Sequence, residues 1–189
     1  DSKIQTASAP KRPVELPCEI HHSTIDGEKW TIFVGLLDGK PYEIFGGLSK
    51  YVTIPKKYKT GKIIKTKNGK KNVNGRYAFY NLVIDDGDGD PLEVQNIAVT
   101  FDNASYAAQT RMISLALRHG VPVQYISEQL GRDESSEFFS FSKVMARVLK
   151  KFVEDGSESS DVCDECGAKL VFESGCRICK SCGKSTKCD

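Results

Sequence analysis

The sequence predicts an α+β fold, with an antiparallel β-sheet, a layer of three helices and a small cysteine-rich module at the C-terminal end. Three observations lead to this prediction. Short segments of strand-forming residues, separated by tight-turn dipeptides, occupy the first half of the chain. Segments with helical periodicity follow between residues 103 and 152. Six of the seven cysteines then fall within the last 27 residues, where few apolar side chains remain to form a core.

Composition limits the class of protein and its partners. The chain has 189 residues, 39% of them hydrophobic and 28% charged, which allows one main core and a small appendage. The net charge of +2 does not require nucleic acid or a membrane as partner. No apolar run approaches the roughly 20 residues of a membrane span, and the N-terminal end lacks a signal-peptide core. Cysteines in C-x-x-C pairs without a secretory signal favour a reducing, cytoplasmic location.

The first part of the chain is predicted to be a linker followed by strands. Residues 1–12 are polar and aperiodic, as is typical of a linker. Because the first residue is Asp1 and not Met, we expect a processed chain or a part of a longer polypeptide. Asp26-Gly27 and Asp38-Gly39 are hairpin signals, and they separate three strands of an antiparallel meander. The predicted strands are 18–25, 30–37 and 41–45.

A lysine-rich hairpin is predicted after the meander. Residues 56–71 contain eight lysines and no acidic residue, with Asn68-Gly69 as the turn. The hairpin could bind phosphate or nucleic acid, or it could be an edge hairpin whose lysines prevent pairing between sheets. The second interpretation is favoured, because aromatic side chains do not alternate with the lysines as stacking platforms would. We therefore do not expect nucleic acid as a partner.

A further strand at 77–84 and an acidic turn complete the predicted sheet. Residues 85–90 resemble a calcium-binding EF-hand loop in composition. Counted from Asp86, however, position six is Pro91 where that loop needs glycine, and position twelve is Ile97 where it needs glutamate. The segment is therefore predicted to be a turn and not a calcium site.

Three helices are predicted in the next segment. Glycine ends the first and the second helix, and proline opens the second. The predicted bounds are 104–119, 122–131 and a third helix that is capped by Ser140 or Ser142 and ends at Phe152. The predicted core-facing residues are Ala108, Met112, Leu115 and Ala116 in the first helix, and Val144, Val148, Leu149 and Phe152 in the third.

An acidic, serine-rich segment at 154–162 is predicted to be a flexible linker that tethers the tail without fixing it. It separates an α+β domain at 13–153 from a tail at 163–189. We expect the tail to be a zinc-ribbon redox tail on the basis of its cysteines.

The tail contains two C-x-x-C pairs, each followed by glycine, with twelve residues between the pairs. This spacing is typical of a zinc ribbon, in which two pairs of thiolates bind one tetrahedral zinc ion. A segment with so few apolar residues needs the metal to fold. The preferred ligand set is Cys163, Cys166, Cys179 and Cys182. A competing set consists of Cys163, Cys166, Cys176 and Cys179, because the C-x-x-C-x-x-C run allows both.

Two thiols of the tail remain once zinc has four ligands, and Cys188 is one of them in either set. Cys188 follows a Gly-Lys-Ser-Thr-Lys stalk, and neighbouring lysines favour the thiolate form. A mobile thiolate near a chain end is suited to attack on a disulfide elsewhere. The alternative is that Cys188 is an incidental exposed cysteine.

The remainder of the sequence predicts no self-sufficient catalytic centre. Cys18 lies on a predicted strand and is expected to be a small buried hydrophobic residue. His21 and His22 are adjacent, so on a strand they point to opposite faces and cannot serve one site. No Ser/His/Asp arrangement and no carboxylate pair stands out.

Several segments together carry a resemblance to a known family. They are residues 12–16, 34–47, 118–122 and 140–152, and the tail from Cys163 to Cys188 with its six cysteines. These segments resemble the C-terminal region of adenosylcobalamin-dependent (class II) ribonucleotide reductases, a TSCPD-type domain with a C-terminal zinc ribbon. The resemblance covers nearly the whole chain from about residue 12. In some relatives this region is a separate polypeptide, a small subunit beside the catalytic subunit.

The resemblance implies a role in the reduction of ribonucleotides to deoxyribonucleotides for DNA synthesis. The catalytic barrel and the adenosylcobalamin site would lie in another chain or domain, which would be a partner of this one. In that family, turnover oxidises two active-site cysteines to a disulfide, C-terminal thiols re-reduce it, and a thioredoxin-like donor regenerates those thiols. The alternative function is a zinc-ribbon module that binds nucleic acid or a protein.

The resemblance also implies which thiols act. The redox pair would be Cys176 and Cys188, with Cys182 in place of Cys176 if the competing ligand set holds. The family usually has four residues between its last two cysteines, whereas five separate Cys182 and Cys188.

Overall fold

The computed structural model describes residues 3–67, 78–132, 139–186 and 188. It confirms the predicted α+β class: antiparallel sheets, three helices among the described residues, and a C-terminal cluster of four cysteines compatible with a zinc ribbon. The chain divides into two compact units, 1–120 and 121–189. The predicted turn at Asn68-Gly69 lies outside the described residues.

The first unit is built on an antiparallel sheet. Within the described ranges its strands are β1 (Glu15–Ile25), β2 (Glu28–Leu37), β3 (Lys40–Leu48), β4 (Thr60–Lys67), β5 (Ala78–Ile84) and β6 (Leu92–Val94). Their order in the sheet is β3, β2, β1, β4, β5, β6. Strands β1 to β3 form the predicted meander. Both residues of each predicted turn, Asp26-Gly27 and Asp38-Gly39, have positive φ, as a two-residue hairpin turn of this type requires.

Strand β4 lies inside the sheet, so the prediction of an edge hairpin is wrong. It pairs with β1 on one side and with β5 on the other. Both rows of its backbone groups are therefore used, and its lysines have no sheet edge to protect. Lys62 and Lys65 are exposed while Ile63 between them is fully buried. An interior strand of an antiparallel sheet can have one face in solvent, so it can carry many lysines. For this reason the lysines of β4 did not distinguish an interior strand from an edge strand.

The core of the first unit includes Cys18, which is 2% exposed as the sequence predicted. Burial raises the pKa of its thiol, since the thiolate would lose its hydration, and nearby Glu43 raises it further. Cys18 is therefore held in the thiol form. The other buried members of this cluster are Ile20, Phe33, Val52, Ile54, Ile63, Leu82, Ile84, Ile97 and Phe101.

Helix α1 (Ala104–Arg118) packs through a different face from the predicted one. Met112 is 64% exposed and Leu115 is 42% exposed. The Ser114 hydroxyl accepts a hydrogen bond from the Ile44 amide at 3.0 Å and donates to the Ile44 carbonyl at 3.3 Å. It thereby satisfies backbone groups at the outer edge of β3, so a polar residue takes a buried position. The buried residues of α1 are Thr110, Ile113, Ser114 and Leu117.

A buried ion pair ties the end of the predicted N-terminal linker to the sheet. Arg12 donates two hydrogen bonds to the Glu43 carboxylate, at 2.9 and 2.6 Å. The two side chains are only 6% and 4% exposed. Arg12 also donates to the backbone oxygens of Pro13, Val14 and Ile63, which satisfies the rest of its guanidinium group.

The second unit combines helices with a small sheet. Its elements are α2 (Val123–Gly131), α3 (Phe139–Lys150), β7 (Glu158–Val162), β8 (Lys169–Glu173) and β9 (Cys176–Cys179). The strands form an antiparallel sheet in the order β7, β8, β9. Val144, Val148 and Leu149 are buried on α3 as predicted. Ser140 and Ser142 lie inside α3, so neither caps it, and that prediction is wrong. Among the described residues, no helix is long and apolar enough to cross a membrane.

Part of the predicted flexible linker is strand β7, and α2 holds this strand in place. The Glu128 carboxylate accepts hydrogen bonds from the Ser159 and Ser160 hydroxyls, both at 2.5 Å, and from the Ser160 amide at 3.0 Å. Beside β7, the Phe172 amide donates to the Ser157 carbonyl at 2.9 Å. The serines that indicated a linker by composition are the groups that dock this segment. The compact units accordingly divide at residue 120, whereas the sequence predicted a boundary at 153.

Replacing Arg12 with methionine should lower the free energy of unfolding by about 3 kcal/mol, because the Glu43 carboxylate would stay buried without its partner. Urea denaturation measures this change. The matched control is Lys62→Met, which removes an exposed ion pair with Glu15 and should cost less than about 1 kcal/mol. The double variant Arg12→Met/Glu43→Met should regain much of the loss. Equal destabilisation by Arg12→Met and Lys62→Met would contradict this account.

Replacing Glu128 with glutamine should loosen β7, because the hydrogen bonds from Ser159 and Ser160 lose their ionic acceptor. A charge-assisted hydrogen bond contributes about 1.5 kcal/mol or more, so amide exchange of residues 158–162 should accelerate about tenfold. Hydrogen–deuterium exchange measures the effect. Glu173→Gln, which removes an exposed pair with Lys180, should leave the exchange of β7 unchanged. If the amides of residues 158–162 exchange at the wild-type rate in both variants, Glu128 does not hold the strand.

Candidate metal and thiol site

Two backbone knuckles present the cysteines of the C-x-x-C-G motifs. In the first, the Gly167 amide donates to the Cys163 carbonyl at 2.8 Å. In the second, the Gly183 amide donates to the Cys179 carbonyl at 2.9 Å. The two glycines have φ values of 71° and 77°, in the left-handed region that glycine adopts without steric cost. The same five-residue motif therefore folds in the same way twice.

The knuckles bring four sulfur atoms together. Those of Cys163, Cys166, Cys179 and Cys182 all lie within 4.8 Å of one another. Between the knuckles, the sulfur atoms of Cys163 and Cys182 are 3.6 Å apart, and those of Cys166 and Cys179 are 3.4 Å apart. Thiolates at about 2.3 Å from a tetrahedral zinc ion would be about 3.8 Å from each other. These four cysteines, the preferred set of the sequence analysis, could hold a metal ion such as zinc.

Backbone amides point at the sulfur atoms and favour negative charge on them. The Ala168 amide is hydrogen-bonded to the sulfur of Cys166, and the Lys184 amide to that of Cys182, and each bond lowers the pKa of its thiol. The neighbouring cysteines outweigh these bonds, so the pKa of both thiols is raised above its ordinary value. A hydrogen bond from the Cys182 backbone amide is the main reason why the pKa of the Cys179 thiol falls to about 6. Four neighbouring thiolates repel one another, so a cation is the natural occupant of the space between them.

The ribbon, defined as residues 158–186 and 188, has almost no hydrophobic core of its own. Cys163 and Cys179 are 3% and 1% exposed and pack with Leu170 and Ala168. The second cysteine of each motif, in contrast, is exposed. Phe172 is also buried. A core of this size stabilises a small module only weakly, and bound metal commonly supplies the missing stability in such modules.

The remaining two cysteines of the tail form a separate pair. Cys176 and Cys188 are joined by a disulfide, with their Cα atoms 4.8 Å apart. Cys176 is the first residue of β9, and Cys188 is exposed near the end of the chain. Cys176 is not among the four clustered sulfur atoms, so the competing ligand set does not come together.

Lys184 has a different role from the one expected for the stalk. Its ammonium group lies 2.9 Å from Asp164 and 3.0 Å from Glu165, both in the first knuckle. These contacts raise the pKa of Lys184 and link the two knuckles beside the cysteine cluster. The other stalk lysine, Lys187, lies outside the described residues. Sequence reasoning missed this link, because the partner acids are twenty and nineteen positions away along the chain.

Comparison with known families identifies the chain at the level of its family. Residues 16–154, well over half of the chain, match the family described as NrdJ homologue C-terminal domain. The chain belongs to this family. It is therefore a ribonucleotide reductase-related C-terminal region, and the resemblance found in the sequence is confirmed at this level. The family implies association with a catalytic ribonucleotide reductase chain. No curated protein and no solved structure matches the chain significantly.

The chain purified with zinc and a reductant should contain one zinc ion, held by the four clustered thiolates. Replacing an exposed ligand, as in Cys166→Ser or Cys182→Ser, should weaken zinc binding by more than about 100-fold, beyond the effect of changes in the outer shell of a metal site. Competition with a chelator, with zinc measured by mass spectrometry, gives the affinity.

The matched control is Cys176→Ser, which removes a thiol from the same ribbon but not from the cluster. It should keep wild-type zinc affinity and leave the remaining tail cysteine, Cys188, titratable as a free thiol. Loss of zinc in Cys176→Ser with retention in Cys182→Ser would establish the competing ligand set instead.

Proposed function

We propose that this chain is the thiol-shuttle region of a class II, adenosylcobalamin-dependent ribonucleotide reductase. The four-cysteine cluster is its zinc-bound scaffold, and Cys176 and Cys188 are its redox pair. The observation that carries the proposal is the separation of the tail cysteines into a cluster of four and one disulfide, in a chain of the NrdJ homologue C-terminal domain family. A shuttle that has given up its electrons contains such a disulfide.

The forward reaction is a pair of thiol–disulfide exchanges. The Cys188 thiolate attacks one sulfur of the active-site disulfide on the catalytic chain, which forms a mixed disulfide and releases the other active-site sulfur as a thiolate. The Cys176 thiolate then attacks the sulfur of Cys188 and displaces the second active-site thiolate. Two electrons pass to the catalytic chain, whose cysteines take up two protons. The Cys176–Cys188 disulfide remains.

A thioredoxin-like dithiol completes the cycle in a reducing, cytoplasmic compartment. One thiolate of the donor attacks the Cys176–Cys188 disulfide, and its second thiolate resolves the mixed disulfide. The donor is oxidised, and both tail thiols are restored. The exposure of Cys188 supports this step, because the attacking thiolate needs access to a sulfur atom of the disulfide.

Zinc and adenosylcobalamin have different places in this proposal. Zinc would have a structural role and no redox chemistry of its own. Its four ligands in a tetrahedral site would be Cys163, Cys166, Cys179 and Cys182. We assign no residue of this chain to adenosylcobalamin, which belongs to the catalytic chain.

The last residues of the chain, and not the predicted linker, provide the reach of the shuttle. Strand β7 is paired with β8 and bound to Glu128, so it cannot act as a free tether. Cys182 is the last zinc ligand, and Cys188 lies six positions further along the chain. Fully extended, six residues span about 20 Å. Reduction of the disulfide would release Cys188. Full extension of the arm also requires opening of the Ile178–Ser185 bridge, of the hydrogen bonds from Thr186 to Arg177 and of the ion pairs of Lys184.

Cys188→Ser and Cys176→Ser should each abolish turnover with a thioredoxin-like donor when the chain is assayed with its catalytic ribonucleotide reductase partner. Both should retain turnover with a small dithiol such as dithiothreitol, which reaches the active-site disulfide directly. The control Cys18→Ala removes a buried thiol from the first unit and should be active with both reductants. Equal activity of Cys188→Ser with both reductants would refute the shuttle while leaving the zinc site intact.

A further inference from the structure

A cationic cleft in the second unit has no cysteine among its lining residues. The cavity has a volume of about 440 Å³ and lies among α2, α3 and the small sheet. Sequence reasoning did not detect it, because its residues come from five elements or their ends. The charged side chains that line it are the cations Arg132, Lys143, Arg147, Lys150 and Arg177 and the acids Glu128 and Asp161.

Both carboxylates of the cleft already have partners. Asp161 accepts a hydrogen bond from Arg132 at 3.0 Å and forms an ion pair with Arg177. Glu128 accepts hydrogen bonds from the serines of β7. Asp161 is thus shared between two guanidinium groups, and cations outnumber carboxylates among the described residues that line the cleft.

Helix α3 contributes a row of cations to the cleft. Lys143, Arg147 and Lys150 lie at positions i, i+4 and i+7, which places them on one face of the helix. The side chains of Arg147 and Lys150 make no hydrogen bond or ion pair with another residue that the structure describes. Like charges at these spacings destabilise an isolated helix, and a bound anion would relieve that repulsion.

We propose that this cleft binds a small molecule that carries a polyphosphate group. Its volume is within the range of small-ligand sites, which extends from about 300 to 1,000 Å³. The planar fork of an arginine matches the oxygens of a phosphate, and the lysines add point charges. A concave site formed by three structural layers favours a small ligand over a nucleic acid strand, which follows an open basic groove. The inference is independent of the proposed thiol shuttle.

Calorimetric titration of the zinc-loaded chain with tripolyphosphate, ATP and adenosine at low salt tests the proposal. Tripolyphosphate and ATP should each bind with a stoichiometry of one, and adenosine should not bind. Equal affinities for tripolyphosphate and ATP would show that the site contacts only the phosphates. Tighter binding of ATP would show that the site also contacts the nucleoside. Both results support a polyphosphate site.

The variant Arg147→Gln/Lys150→Gln should bind tripolyphosphate at least about tenfold more weakly, since two charge-assisted contacts are lost. The matched control is Lys151→Gln, an exposed lysine next to this row that does not line the cleft. It should bind with wild-type affinity. Thermal unfolding and zinc content of each variant verify that the ribbon and helices remain folded, and Arg147→Lys, which keeps the charge, should bind with intermediate affinity.

Three results would overturn the proposal. The first is the absence of tripolyphosphate binding by the wild-type chain at low salt. The second is equal weakening by Lys151→Gln and by the double variant, which would indicate unspecific attraction to surface charge. The third is saturable binding of duplex DNA that is lost in the double variant, without binding of tripolyphosphate, which would assign the cleft to nucleic acid.

Discussion

The convergence of four cysteine sulfur atoms is the constraint on which the C-terminal ribbon depends. The hydrophobic cluster around the cysteines consists of Leu170, Ala168, Cys163 and Cys179, and Phe172 is a further buried apolar side chain of the ribbon. Close sulfur atoms with backbone amides directed at them gain little from one another without a cation, whereas a metal ion turns the same arrangement into the strongest contact of the module. The cluster joins the two knuckles, and it leaves Cys176 and Cys188 as a separate pair.

The parts of the fold that were predictable are those in which residue identity alone sets local geometry. Asp-Gly pairs specify the two hairpin turns, because both positions need positive φ. The C-x-x-C-G motif likewise specifies a knuckle, because glycine must follow the second cysteine for the chain to turn back. Two such motifs at this spacing predicted which sulfur atoms lie together, and the structure brings Cys163, Cys166, Cys179 and Cys182 into one cluster. The family resemblance came from longer segments and could not have come from spacing.

The features that could not be predicted depend on partners distant in sequence. Ser114 makes a polar face of α1 the buried one, because the edge of β3 offers backbone groups to satisfy. Glu128 turns a serine-rich segment with linker composition into a docked strand. The buried Ile63 belongs to β4, which is paired along both edges. That pairing depends on the positions of β1 and β5, which the sequence of β4 does not contain. In each case the local sequence was compatible with more than one arrangement. A contact with a residue distant in sequence decided which arrangement formed.

The disulfide between Cys176 and Cys188 spans a segment that contains two of the clustered cysteines, Cys179 and Cys182. Six thiols in one short segment can pair in many ways, and every wrong pair would be reached by the same exchange chemistry as the right one. A thiolate coordinated to metal is withdrawn from that exchange. A bound metal would therefore protect the four clustered thiols from disulfide exchange. Only the pairing of Cys176 with Cys188 would remain available, and Cys188 could react without forming a wrong disulfide with a clustered cysteine. Loss of the metal would therefore damage the chain chemically as well as unfold it.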